Sequence, residues 1–583
     1  MAIYKIHPSI GVARVGDSDE YYIAPETPGG LPILPDGRPF TSADFRDRKR
    51  RLRRQGARFT VFRYDTPEGP GVEVRPGEGG VKAIEWTVHL ANKKPIWYTF
   101  LVNAGETGYT PDHALRNARV IDPDERRKLM IDPGWRRLGE PNGSVEFSRK
   151  DNPHKYPMTF PPKGLEPCPI NTLGGLRTDG QSRLIVLGGH GRAGSDRTPQ
   201  ITDYANNDNW WDDTSDGPVT ARIVLDKGKA QEAVPSWVMV GPPRFAPQLL
   251  NLVTLWDTIF DTSVRHLGVR PDVFRDDLWN TSYVPNWEGD VLPILERAEH
   301  YPWVVAIPPK PHNFDLAKLG DPNPEYNGLR QFYLQVVRPP TGQNLLSSAT
   351  SGLTLMPYLL GDNCFEPGPL WSTYLTVTST QYFFLKQWAA GKFSTGAPPP
   401  LSPGEALDRA ALENCVGGAF SPGIEMTWIS RNPEIYSEPF RLKHRQDVKP
   451  PLSLGMDLRA GLEPGDACKF MALPWQADFN ECSAEAPQQR PDRFLWWWPV
   501  QRPLFVYRES REPEHPLRQE PWVGTDKDQN APDYLQFADD LEMVTKWKYL
   551  GFVVNQGSDE NGPFVEVEKV PFPKGDDPDC GGG

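Results

Sequence analysis

The sequence predicts an α+β protein, with a β-rich N-terminal part and a more helical, loop-heavy C-terminal part sharing one large body. Three observations predict it. Apolar residues alternate with period two in the first hundred residues, and helical spacing appears in several stretches after residue 245. The 63 Pro and 52 Gly among 583 residues call for many turns, while 19 Trp and 38 % hydrophobic residues supply a core. The expected divisions are 1–240, 241–400, 401–574 and a short tail, 575–583, with no internal repeat.

Arg58–Tyr64 (RFTVFRY) and Ala83–Leu90 (AIEWTVHL) alternate as half-buried strands do. Residues 111–180 are polar and broken by prolines, and are read as surface loops. Leu184–Leu187 reads as a buried strand running into GGHGRAG, with GxGxxG spacing at Gly189, Gly191 and Gly194. The residues that follow lack helical periodicity, so no helix N-terminus would face a pyrophosphate. The run is read instead as a glycine-rich turn that lets backbones come close. Helices are expected over 246–268, 373–391, 403–413 and 533–549. The third has Ser402 as N-cap, Pro403 at its first position and Glu405 as capping-box partner. Gly551–Val554 (GFVV) starts a strand, and the tail GDDPDCGGG is read as disordered.

A net charge of −12 gives no reason to bind nucleic acid or anionic membranes. The basic run Arg46–Arg54 (RDRKRRLRR) is read as a solvated helix face. No stretch is long and apolar enough to span a bilayer, and the N-terminus lacks a signal-peptide apolar region. The expected place is the cytoplasm, or outside after export without a recognisable signal peptide. Cys168, Cys364, Cys415, Cys468, Cys482 and Cys580 are scattered without a CxxC, which indicates neither a zinc site nor a disulfide framework. The ten histidines form no HExxH.

Few residues point to chemistry unaided. Asp478 and Cys482 are four apart, on one face if LPWQADFNEC is helical. A carboxylate there raises a thiol's pKa, so the pair suits proton removal better than thiolate attack. Trp496–Trp498 is an aromatic patch, core or carbohydrate platform. Asn206–Asp213 (NNDNWWDD) is rich in oxygen donors but lacks the EF-hand order. No carboxylate pair stands out for a hydrolase.

The opening Ile6–Ser18 (IHPSIGVARVGDS) and Tyr22–Glu26 (YIAPE) resemble the start of the cysteine tryptophylquinone-dependent amino-acid oxidases, the L-lysine 6-oxidase/glycine oxidase family. Five later stretches are similar in the same order: Asn206–Pro218, Cys415–Trp428, Leu473–Cys482, Trp497–Pro503 and Trp547–Val553. The resemblance implies that Cys482 and Trp547 are joined by a thioether, the indole gaining two oxygens to become the quinone cofactor. It gives Asp478 the role of the carboxylate needed for cross-linking and a candidate base in turnover. Cys415 falls where the family has another active-site cysteine, and Trp211 where relatives place a channel-lining Tyr or Phe. The implied reaction converts a primary amine, first of all that of a free amino acid, with O₂ to aldehyde or keto acid, ammonia and H₂O₂. It also implies a flavoprotein maturation partner and a homo-oligomer. The alternatives are a catalytically silent homologue serving as a binding or structural protein, or an oxidase of a peptide-borne amine. A colourless protein that consumes no O₂ with any amine would favour the silent reading.

Overall fold

The computed structural model describes residues 2–67, 69–101, 108–306, 314–340, 344–362, 373–418, 422–481, 498–510, 512, 514–522, 537 and 539–572. Cys482, Trp496, Trp497 and the tail 575–583 therefore lie outside the described residues.

The first part is built on sixteen strands: β1 (Ile3–His7), β2 (Ile10–Arg14), β3 (Tyr21–Ile23), β4 (Arg54–Tyr64), β5 (Val72–Glu73), β6 (Val81–Val88), β7 (Arg136–Leu138), β8 (Ser144–Ser148), β9 (Glu166–Pro167), β10 (Thr172–Thr178), β11 (Leu184–Leu187), β12 (Ala193–Ser195), β13 (Trp210–Asp212), β14 (Ser215–Leu225), β15 (Ala230–Glu232) and β16 (Ser236–Gly241). The main sheet runs β7-β6-β14-β16-β2-β4-β11-β10-β8, with β1, β3 and β5 on β4 and β15 on β14. Its two end strands, β7 and β8, lie against each other, so the sheet is nearly closed. The inward residues form one core that includes Phe59, Val61, Trp86, Val88, Leu176, Val186, Val219 and Val238. Trp86 keeps its indole N–H satisfied there by donating to the Ser182 carbonyl at 2.8 Å. A smaller sheet, β13-β12-β9, sits beside the main one and carries the glycine-rich run toward the second part.

The strands at 58–64 and 83–90 form, as β4 and β6, and Leu184–Leu187 is the buried β11. The loop reading of 111–180 is corrected: it contains β7 to β10 and a helix, Pro123–Arg127. These strands are short and carry Arg, Glu and paired glycines, so they show little alternation.

In the second part, helix Pro403–Glu413 has the expected Ser402 cap and Glu405 capping box. Helix Leu255–His266 begins later than its apolar spacing suggested, because Thr254 and Asp257 form a capping box that sets the start. The preceding segment is instead irregular, with a turn closed by the Leu249 N–H on the Ala246 carbonyl, and Phe245 and Ala246 donate to the carbonyls of Gln501 and Val500, both at 3.1 Å. Helix Ser379–Ala389 likewise starts at a Thr378 cap rather than at Thr373. Helix Asp540–Lys546 starts at the Asp539 cap and gives way to a 3₁₀ turn, Trp547–Tyr549. Among the described residues no helix is long and apolar enough to cross a membrane.

The basic run departs most from expectation. It is a turn, not a solvated helix face, and Arg46 and Arg54 at its two ends are 3 % and 2 % exposed. Arg46 donates to the carbonyls of Lys548, Leu550 and Glu568 at 2.8, 2.9 and 2.7 Å. Its guanidinium thus ties the N-terminal part to the backbone just after Trp547. Burial lowers its pKa to about 10, which leaves it charged at neutral pH. Arg46→Met would leave four carbonyls without this donor, those of Lys548 and Leu550 in buried bonds, an expected loss of roughly 3 kcal/mol or more. A urea unfolding midpoint that matches the parent's would contradict this account.

Candidate active site

The site is assembled where helix Trp475–Glu481 packs on helix Asp540–Lys546. Asn480 clamps them: its amide donates to Asp540 at 2.9 Å, and its oxygen accepts from the backbone of Phe537 at 3.3 Å. The N-terminus of the first helix is fixed by Asp212, which accepts from the Trp475 N–H at 3.0 Å. A carboxylate is favoured there by the helix's exposed N–H groups. Asp212 is also paired with the buried Lys94 at 2.8 Å. Asn207 donates to the Leu473 carbonyl at 3.0 Å and accepts from Thr202. Asn206 accepts from Phe100, and Asp208 from Asn117. Side-chain oxygens of Asn206, Asn207, Asp208 and Asp212 are thus aimed at protein donors, and Asn207 and Asp212 fasten the stretch to the start of this helix.

Trp547 lies 2 % exposed, with the edge of Trp475 against it at 5.5 Å between ring centroids and 67° between planes. Its other neighbour is Gly191, held at φ +72°. A Cβ on Gly191 would lie 2.1 Å from Cζ2 and 2.6 Å from Cη2 of the Trp547 indole. Only glycine fits both that φ and that approach. The Gly191 carbonyl accepts from the Gln476 amide at 2.9 Å, so the glycine turn is bound to helix and indole together. Beneath the turn, buried Asp213 accepts from the His190 N–H at 2.6 Å.

Two cavities flank the Trp475–Trp547 pair. One, about 110 Å³, is lined by Trp547, Gly191, Cys168, Arg192 and Lys548, and opens past half-exposed Asp17, Arg51 and His190. The other, about 10 Å³, is lined by Trp475, Asp478, Lys94, Glu425 and Cys468. Asp478 is buried. Cys415 lines a third cavity of about 40 Å³ with Arg14 and Arg244. Its thiol donates to the Ala411 carbonyl at 3.2 Å, and burial pushes its pKa well above the ordinary range. Glu425 connects these last two places, pairing with Arg14 at 2.7 Å while lining the Asp478 cavity.

Trp211 is buried in the barrel core and donates to the Leu129 carbonyl at 2.8 Å, and it is not among the lining residues of these three cavities. Its neighbour Trp210 is the one that packs against Val544 on the helix before Trp547. Cys168 is disulfide-bonded, which the scattered spacing did not signal. Sequence reasoning also missed Arg46, Gln476 and Glu425. Gln476, inside LPWQADFNEC, and Glu425, inside CVGGAFSPGIEMTW, stood in motifs with no role attached.

The chain matches the family profiles described as L-lysine epsilon oxidase N-terminal, over residues 7–240, and L-lysine epsilon oxidase C-terminal domain, over 357–498. It is 36 % identical over 525 residues to the L-lysine 6-oxidase of Marinomonas mediterranea, covering 82 % of this chain and 71 % of that protein. The crystal structure of the L-Lys epsilon-oxidase from the same organism superposes with TM-score 0.85 at 31 % identity, covering 97 % of this chain and 94 % of that one. A second structure of that enzyme, its Schiff base intermediate with L-Lys, also gives TM-score 0.85 at 31 % identity, covering 97 % and 95 %. Fold and sequence together define an oxidoreductase that acts on an amino acid. The chain belongs to the L-lysine epsilon oxidase family.

Two outcomes test this geometry. Gly191→Ala should lose roughly 1–3 kcal/mol or more, through strain at positive φ and displacement of the indole. Equal melting temperatures for variant and parent would refute the contact. Burial, with Asp212 adding to it, pushes Asp213 up to about 7. The unfolded chain's Asp titrates near ~4, so the folded state holds this proton more tightly. The stability this contributes is full below about pH 4 and is lost as pH rises through about 7. Asp213→Asn removes that dependence. Its melting temperature relative to the parent should therefore be higher at about pH 8 than at about pH 5.

Proposed function

We infer that the protein oxidatively deaminates a primary amine, first of all that of a free amino acid, through a cysteine tryptophylquinone built from Cys482 and Trp547. One amine, one O₂ and one water give one aldehyde or keto acid, one ammonia and one H₂O₂. The observation that carries the reading is the fit of the Trp547 indole. It is buried, lies against a glycine with no Cβ, and borders a cleft at the same place. When formed, the quinone supplies an electrophilic carbonyl and an electron sink, while the protein supplies position and a dry surround.

The chain's own residues then have definite tasks. Trp475 and Phe479, ring against ring at 5.5 Å, close one flank of Trp547 to water. Gln476 and Gly191 fix the indole's benzo edge. Asp478, on helix Trp475–Glu481 and four positions before Cys482 in the sequence, is the carboxylate that takes protons during cross-linking and the candidate base in turnover. Glu425 links the Asp478 cavity to Arg14 and Cys415, which is assigned to the outer wall of the site. Trp211 is assigned to the frame around the site rather than to substrate contact, given its bond to Leu129. The relative's name makes L-lysine one candidate substrate. A flavoprotein maturation partner and a homo-oligomeric state complete the reading.

Mass spectrometry of protein co-expressed with its flavoprotein should find the peptides carrying Cys482 and Trp547 joined and oxygenated. Cys482→Ala should be colourless and produce no H₂O₂, and Asp478→Asn should accumulate the unlinked peptides. Finding the two peptides separate and unmodified in the parent protein would overturn the proposal.

A further inference from the structure

The cleft beside Trp547 has a charge balance that the reaction does not by itself require. Its floor is Gly191 and Trp547, and three cations stand around it: Arg51, Arg192 and Lys548. Arg51 is neutralised by Asp47 at 2.8 Å. Lys548 lies in the field of the Asp17 carboxylate. His190 is paired with Asp19 at 3.2 Å. Arg192 lies in the field of the buried Asp213 carboxyl, but no carboxylate among the described residues stands within ion-pair distance of it. Its side-chain hydrogen bond there runs from Nη1 to the Pro169 carbonyl at 3.2 Å. A guanidinium satisfied by one carbonyl still has donors for an anion, and it holds a carboxylate best through two parallel bonds.

Arg192 is also the residue directly after Gly191, the one whose backbone touches the Cζ2–Cη2 bond of the indole. A cation is thus set one residue away from that edge, at the wall of a half-buried cleft. The cleft's volume of about 110 Å³ suits a small organic molecule, whereas the roughly 10 Å³ beside Asp478 holds about one water.

Resting on the oxidase reading, we propose that Arg192 is the specificity-determining residue of the substrate site, binding the carboxylate of an amino acid whose amine meets the Trp547 edge. Amines without a carboxylate lose this contact. A peptide whose carboxylate is tied up in an amide bond loses it as well.

The test pairs each accepted amino acid with its decarboxylated amine on matured protein, parent against Arg192→Gln. A charge-assisted contact of this kind corresponds to about 10- to 100-fold. The variant should therefore lose that much more kcat/KM for the amino acid than for the amine, mainly through KM. Arg192→Lys should recover part of the difference. A binding measurement without turnover accompanies it: saturation-transfer NMR of propionate on Cys482→Ala protein, with and without Arg192→Gln. Propionate signal in the first and loss in the second supports the proposal. Equal signals, no signal in Cys482→Ala, or equal losses for acid and amine overturn it. The propionate result does not need the quinone, so failure of the oxidase reading, seen as an unlinked Cys482 and Trp547 in the parent, stays distinguishable.

Discussion

The second part of the molecule is organised around one close approach, that of the Trp547 indole to the backbone of Gly191. A side chain at 191 would collide with the ring, so the position must be glycine. A glycine is also free to wander, so the turn must be held by other groups. Asp213 holds it from below through the His190 N–H, and Gln476 holds its carbonyl from the side. Arg46 then fixes the chain on the far side of the indole by three carbonyls. Each device comes from a distant part of the sequence, and all converge on one ring.

The same logic explains the buried charges at the junction between the two parts. Lys94 pairs with Asp212, and Lys93 bridges Glu463 and Asp466, at 2.8 to 2.9 Å and almost without exposure. Such pairs add little net stability over apolar packing, because both ions lose their water. Breaking one leaves a buried charge unpaired, which is far costlier. Their effect here is to define register. Asp212 both receives Lys94 and accepts from the Trp475 N–H, so a strand end and a helix start are set by one carboxylate.

Legibility in the sequence followed locality. Ser402, Pro403 and Glu405 announced a helix because capping is settled within four residues. The strands at 58–64 and 184–187 were readable because burial on one or both faces leaves a pattern in the residues themselves. The strands between 136 and 178 were not, since their partners, not their composition, make them strands. Arg46 was misread for a related reason. An arginine-rich run looks solvated, yet one guanidinium in it meets three carbonyls about 500 positions away. At the site, Asp478 and Cys482 drew notice by spacing, and the glycine turn by composition. That the turn meets Trp547 is a tertiary fact with no local trace.

The two cavities beside the indole pair differ enough to constrain how any substrate arrives. The one at Asp478 holds about one water, is closed by Trp475, and faces Lys94 and Glu425. No amino acid enters it without displacing the helix that Asp212 and Asn480 hold. The cleft at Arg192 is an order of magnitude larger, with half-exposed residues at its rim. A molecule reaching Trp547 by that route passes charged groups first and meets the ring last. On the proposed reading, selection by charge precedes contact with the ring, and the small closed cavity is left to Asp478 and about one water. The division follows from cavity size and lining, and it places the burden of specificity on the cleft.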